Sequence, residues 1–301
     1  MLTFMRWFGR LKRDSGSVAT PKRGAGGGRS HAVGVPYALP QDTEEINRLD
    51  FQHYLLRHAF RGNFAAPLRK PRAILDVGCG TGRWAREMAQ AFPDARVAGV
   101  DIKPPPAEAL APTGEPRQAH FAFTPGNVLE GLPFPDASFD YTHMRLMFLA
   151  IPADRWEHVA RELVRVTRPG GWIERVEAGP EEHGGRDMDQ LLAWGTEMLR
   201  RRGIDADYGR RIGELPRLVG LAHVQKRDLT IPLGAWGERV GVMMEADFFS
   251  GIRALEGPIA ALGVASKDDF QRTLAAAQAY VNTPGARCVA PFYIAWGQRP
   301  S

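Results

Sequence analysis

The stretch ILDVGCGTGRW, residues 74–84, puts three glycines into five positions directly after a run of apolar residues. Glycine costs backbone entropy, so a chain that has just built a strand gives up side chains there only for a geometric reason. Close approach of a ligand is such a reason. The N–H groups of the turn and of the helix that follows then face the ligand. A dinucleotide turn reads G-x-G-x-x-G. Here Gly78, Gly80 and Gly82 give G-x-G-x-G, and Arg83 stands where the last glycine would be. A phosphate-binding loop needs Gly-Lys-Ser/Thr after the turn, and the chain has none there.

Strand and helix alternate around this turn. A helix capped by Asp42 or Thr43 carries the apolar residues Ile46, Leu49, Tyr54 and Leu56. It precedes the buried strand AILDVG. Trp84, Met88 and Phe92 form one helix face, and ARVAGVDI is a second strand. FTPGNVL, SFDYTHMRL and GWIERVEAG read as three more. Between the last two, Trp156, Val159, Leu163 and Val166 line a helix. It is opened by a capping-box pair, Asp154 and Glu157, and stopped by PGG at 169–171. The pattern predicts a parallel sheet with helices on both faces. The last third adds a helix near 187–202, a strand around 222–233, helices over 238–255 and 267–281, and a final strand over 288–296. Trp84, Trp156, Met243 and Met244 read as packing residues.

Charge divides the chain unevenly. Residues 1–30 hold seven Lys/Arg and one acid, a net +6, so the remainder carries −1 although the whole is +5. The basic excess thus belongs to a flexible tail, residues 1–30, and the body offers nucleic acid no electrostatic footprint. Phe4, Trp7, Phe8 and Leu11 are at helical spacing among basic residues. That segment reads as a solvated tail, or else as a helix on an anionic membrane surface or a targeting segment. No stretch reaches the roughly 20 apolar residues of a membrane span. The two cysteines, Cys79 and Cys288, form neither a disulfide framework nor a metal cluster, so a reducing, cytoplasmic setting is expected.

Two acids describe the ligand. Asp76, just before the turn, would repel a pyrophosphate and favour an ammonium group. Asp101, at the end of the second strand, suits the two hydroxyls of a ribose. An adenosine with a cationic amino-acid end fits both, and S-adenosylmethionine is such a molecule. ILDVGCGTGRW, VAGVDI, GNVLEGLPFPDASFDYTH and ELVRVTRPGGWI, in this order over residues 70–180, resemble the motifs of class I S-adenosylmethionine-dependent methyltransferases. The preceding YALPQDTEEINRLDFQHYLL makes the chain similar to the branch of methyltransferase-like regulators of fungal secondary metabolism and their bacterial relatives.

The resemblance implies a Rossmann-like, doubly wound sheet of seven strands, mostly parallel, with an antiparallel last strand. It implies one domain over 31–301, its core at 70–180 and a part shaping the acceptor site at 181–301. Asp76, Gly78, Cys79, Gly80 and Gly82 would lie along the methionine part and ribose. Asp101 would take the ribose hydroxyls, Ile102 cover the adenine, Asn127 accept from its amino group, and the Val128 N–H point at its ring. His143 would approach the methionine end. Tyr37 and Arg48 would close the pocket, with Arg48 on the cofactor carboxylate. His143, Glu177 and His183 lie near the expected mouth, and none is assigned as a base. A small organic acceptor comes first and a protein side chain second. An S-adenosylmethionine-binding regulator with little or only self-directed methylation is the alternative. A chain beginning at His31 should bind S-adenosylhomocysteine as tightly as the full chain in titration calorimetry. Loss of binding would place the basic segment in the site.

Overall fold

Every residue of β1 (Ala73–Val77) is buried, the mark of a strand covered on both faces. The computed structural model describes residues 43–107, 121–180 and 182–301. The tail and Tyr37 lie outside the described residues. The strands are β1, β2 (Arg96–Asp101), β3 (Phe121–Pro125), β4 (Phe139–Arg145), β5 (Thr167–Ala178), β6 (Ala222–Pro232) and β7 (Val289–Gln298). They form one seven-stranded sheet in the order β3-β2-β1-β4-β5-β7-β6. The neighbours from β3 to β5 are parallel, and β7 runs antiparallel to both β5 and β6. Strand order therefore reverses between β1 and β4, which opens a crevice at their carboxyl ends.

The helices fill three clusters. On one face α2 (Arg83–Ala91) brings Trp84 and Met88 against Ile74, Val97 and Tyr141. On the other, α3 (Trp156–Val166) packs Trp156, Val159 and Leu163 against Leu75, Val77 and Ile173. Both tryptophans are core residues. A third cluster joins Leu55 and Leu56 of α1 (Thr43–Phe60) to Met188 and Met198 of α4 (Gly185–Arg201), Met244 and Phe249 of α6 (Glu238–Ala254), and Phe270 and Leu274 of α8 (Lys267–Tyr280). Two short helices, α5 (Glu214–Leu218) and α7 (Glu256–Ala261), had no readable periodicity because they span little more than one turn.

Three local readings are corrected. The third strand ends at Pro125 and does not run on through GNVL. Proline lacks the N–H to continue the ladder, and Gly126 N–H closes onto Asp101 C=O at 3.0 Å. β5 begins at Thr167, four residues before the expected strand. Thr167 already pairs Phe139, and Pro169–Gly171 lie in a bulged stretch before Trp172 pairs Tyr141. No side chain caps α3, because Glu157 is taken by Arg161 one turn on, at 2.6 Å.

Trp84 ties the α2 face together. It is 2% exposed, donates to the Asn63 carbonyl at 2.8 Å, and stacks on His143 with ring centroids 3.8 Å apart. Trp84→Ala should cost about 3–5 kcal/mol of unfolding free energy in urea titrations. A loss below about 1 kcal/mol would contradict its place in the core.

Candidate functional site

The turn after β1 is built by its glycines. Gly78, Gly80 and Gly82 have φ of 71°, 51° and 72°, the left-handed region that side chains disfavour. At Gly78 a Cβ would also collide with the Met147 sulfur, and at Gly82 it would meet the Phe121 ring at 2.8 Å. Gly80 has no such obstacle, its nearest neighbour being Leu49 Cδ1 at 3.8 Å, so the backbone there is open to close approach.

The end of β2 fastens this turn. The Val100 carbonyl accepts from Gly78 N–H at 2.8 Å and from Cys79 N–H at 3.1 Å. Asp101 Oδ2 accepts from Gly80 N–H at 2.9 Å, and Oδ1 lies 3.4 Å from Lys103 N. Each carboxylate oxygen has a further lone pair for a ligand hydroxyl. Burial raises the Asp101 pKa, and the N–H groups of Gly80, Lys103 and Ile102 oppose the rise. Ile102 is half-buried beside it. Burial, together with the charges of Asp76 and Asp101, pushes the Cys79 thiol far up, so Cys79 is a small apolar filler and not a nucleophile.

Asp76 and His143 form a buried pair at 3.0 Å, and both are under 5% exposed. His143 thus lies beneath the turn, sandwiched between Asp76 and Trp84, and reaches the crevice through Asp76. Asn127 makes a local turn. Its Oδ1 accepts from Leu129 N–H at 3.0 Å and its Nδ2 donates to Glu130 at 2.9 Å. Glu130 and Gly131 N–H both close onto the Asn127 carbonyl. Val128 is buried between them.

Arg48 has a partner that its position in sequence does not reveal. Its Nη1 is 3.1 Å from Asp247 Oδ1, and Gln52 donates to the other oxygen at 2.9 Å. These bonds fasten α1 to α6. On its other flank α1 pairs Asp50 with Arg83 at 2.5 Å, and His53 with Glu87 at 3.2 Å. Glu177 is fully buried and accepts from Met147 N–H at 3.0 Å and Phe148 N–H at 3.2 Å. Burial raises its pKa to about 8, against those two bonds. Glu177 therefore holds the loop after β4 and is spent there. His183, in the loop after β5, is exposed, and its carbonyl accepts from Cys288.

Sequence reading missed Arg145, His53, Glu87 and Met147 at this end of the sheet. Arg145 had a signal: it stands two residues after His143 on one strand, hence on the same face. The others are brought in by packing alone. Among the described residues no group of His, Cys, Asp and Glu could hold a metal ion, and no helix is long and apolar enough to cross a membrane.

Comparison with known proteins agrees with this geometry. A family model described as a methyltransferase domain matches residues 74–171. The chain is 37% identical over 141 residues to methyltransferase str2 of Strobilurus tenacellus, covering 46% of this chain and 48% of that one. It is 30% identical over 213 residues to the secondary metabolism regulator laeA of Aspergillus fumigatus, covering 67% and 54%. The chain thus spans about half the length of these relatives. Among solved structures, the [4+2]-cyclase SpnF shares the fold with a TM-score of 0.50 at 17% identity, covering 87% of this chain and 98% of that one.

Glu87 supports the site from α2 and gives a test. Burial raises its pKa, but hydrogen bonds from His53 and Asn63 and the charge of Arg57 outweigh burial and bring it down to about 2. A depressed carboxyl stabilises the fold above its unfolded value of about 4.3, and that contribution fades as pH falls toward about 2. The stability advantage of the wild type over Glu87→Gln should therefore be full at pH 6 and shrink below about pH 4.3 in denaturant titrations. An advantage independent of pH would remove the ionic role.

Proposed function

Because the chain belongs to the class I S-adenosylmethionine-dependent methyltransferases, we propose that it transfers the methyl group of that cofactor to a small organic acceptor. The observation that carries this reading is the Asp101 carboxylate. It is fastened to the glycine turn through Gly80 and keeps a lone pair on each oxygen at the carboxyl end of β2. Asp101 takes the two ribose hydroxyls. Gly78, Cys79, Gly80 and Gly82 offer backbone along the ribose and methionine part. Asp76, with one oxygen on His143, turns its charge toward the ammonium group. Ile102 covers the adenine, and Asn127 and the Val128 N–H meet its edge.

S-adenosylmethionine supplies, when bound, a methyl group activated by a positive sulfur. The protein has to align donor and acceptor, and alignment of this kind is worth about 7–11 kcal/mol. Among the described residues, Glu177 and His143 are both buried in structural bonds, so this reading assigns the chain orientation and not proton abstraction. The free, buried cysteines fit a cytoplasmic setting. The likeness to a secondary metabolism regulator supports a second reading, a cofactor-binding protein with slight or self-directed methylation. A labelled-methyl assay with fractionated metabolites separates the two. Continued release of S-adenosylhomocysteine supports the enzyme, and release that stops near one equivalent supports the regulator.

Asp101→Ala tests the site itself. Loss of charge-assisted bonds to the ribose should cost roughly 2–4 kcal/mol of cofactor affinity, about 30- to 1,000-fold. Wild-type affinity should also weaken in acid, as pH falls through the raised pKa of Asp101 and the carboxylate protonates. Affinity of Asp101→Ala within threefold of wild type, with a lowered melting temperature, would reject the ribose role.

A further inference from the structure

Arg145 ends β4 on the sheet face of His143, one pleat nearer the glycine turn. The parallel register pairs Asp76 with His143 and Val77 with Met144. Arg145 therefore stands level with Gly78. Its side chain is half-buried, and its Nη2 lies 3.2 Å from His53 Nδ1. A guanidinium only donates, so His53 Nδ1 is the acceptor and the ring proton sits on Nε2. Nε2 lies 3.2 Å from Glu87 Oε2, within ion-pair distance, and Glu87 is held in turn by Asn63 at 2.9 Å and Arg57 at 2.7 Å. Burial lowers the pKa of His53, in keeping with a neutral ring set between the guanidinium and the Glu87 carboxylate.

This relay orients the guanidinium without neutralising it. Among the described residues, His53 is the only hydrogen-bonding partner of Arg145, and no carboxylate lies within ion-pair distance of it. A desolvated cation without a counter-ion is costly, and proteins keep one where a ligand supplies the anion. Asp76 stands near enough to act on Arg145 through its charge, yet its bonded partner is His143. A guanidinium and a carboxylate side by side match the two charges of an α-amino acid. A phosphate or other bare anion would be repelled by Asp76.

We propose that Arg145, oriented by His53 and Glu87, is the anchor for the α-carboxylate of the cofactor's amino-acid end. The inference rests on the cofactor reading above. It also leaves Arg48, which pairs with Asp247, as a fastener between α1 and α6.

Two ligands that differ at the amino-acid end decide it. S-adenosylhomocysteine carries the carboxylate, and 5′-methylthioadenosine has the same adenosine thioether without it. Titration of the full chain should show Arg145→Met losing about 10- to 100-fold in affinity for S-adenosylhomocysteine, as expected for a charge-assisted pair. Affinity for methylthioadenosine should stay within about threefold. Arg145→Lys keeps the charge but loses the fork, and its preference between the two ligands should fall between wild type and Arg145→Met. Thermal unfolding of Arg145→Met should be at or above wild type, because an uncompensated cation is gone. Equal weakening of both ligands, or none, overturns the proposal. If the methionine variant does not fold, an unchanged preference in Arg145→Lys overturns it. A wild type that binds neither ligand overturns the cofactor reading, and the anchor with it.

Discussion

Two consecutive residues at the end of β2, Val100 and Asp101, take three N–H groups of the turn that follows β1. The rest of the site depends on this grip. Without it, three glycines in left-handed backbone would be a loose connection, since each loses more freedom on ordering than any other residue. The grip works because β1 and β2 are parallel neighbours in register, Val77 beside Val100. The strand that ends the first strand–helix–strand unit therefore holds the turn that opens the helix of that same unit. The carboxylate that orders the turn is the group that the proposed reading offers to the ribose, and on that reading the site is largely set before any ligand arrives.

The helix ahead of the sheet extends this order outward. α1 is fastened to α2 through Asp50–Arg83 and His53–Glu87, and to α6 through Arg48 and Gln52 on Asp247. Since α2 starts at the glycine turn, α1 links the turn to the helical layer built from the last third of the chain. Its connection to β1 is pinned from below. Glu174 on β5 is buried and accepts from Ala65 and Ala66 N–H at 2.8 and 2.7 Å. Acids recur in this role. Buried Glu177 holds Met147 and Phe148, and half-buried Asp140 holds Arg72 and Ala73, each carboxylate accepting two backbone N–H groups.

This use of acids explains which residues reading the sequence could assign. Asp101 was legible because its distance from the turn follows from one strand–helix–strand unit. Glu177 and His143 looked like candidates for chemistry, since a carboxylate and an imidazole near strand ends often are. Both are buried and bonded, Glu177 to the loop after β4 and His143 to Asp76, and those bonds are not visible in the sequence. The bond of Arg48 to Asp247, 199 residues away, left no trace in the local sequence.

The sequence by itself determined the alternation of strand and helix, the antiparallel end of the sheet through the family it resembles, the glycine turn and the acid opposite it. These are local patterns, set by a period of two or 3.6 residues and by the backbone freedom of glycine. Only the tertiary structure decided the partners: which acids take a backbone N–H, where Met147 rests on Gly78, and that among the described residues Arg145 meets His53 and no carboxylate. Such pairings join residues far apart in the chain, and no periodicity carries them. They exist once the sheet order has brought β4 beside β1 and α1 has been fastened to α2 and α6.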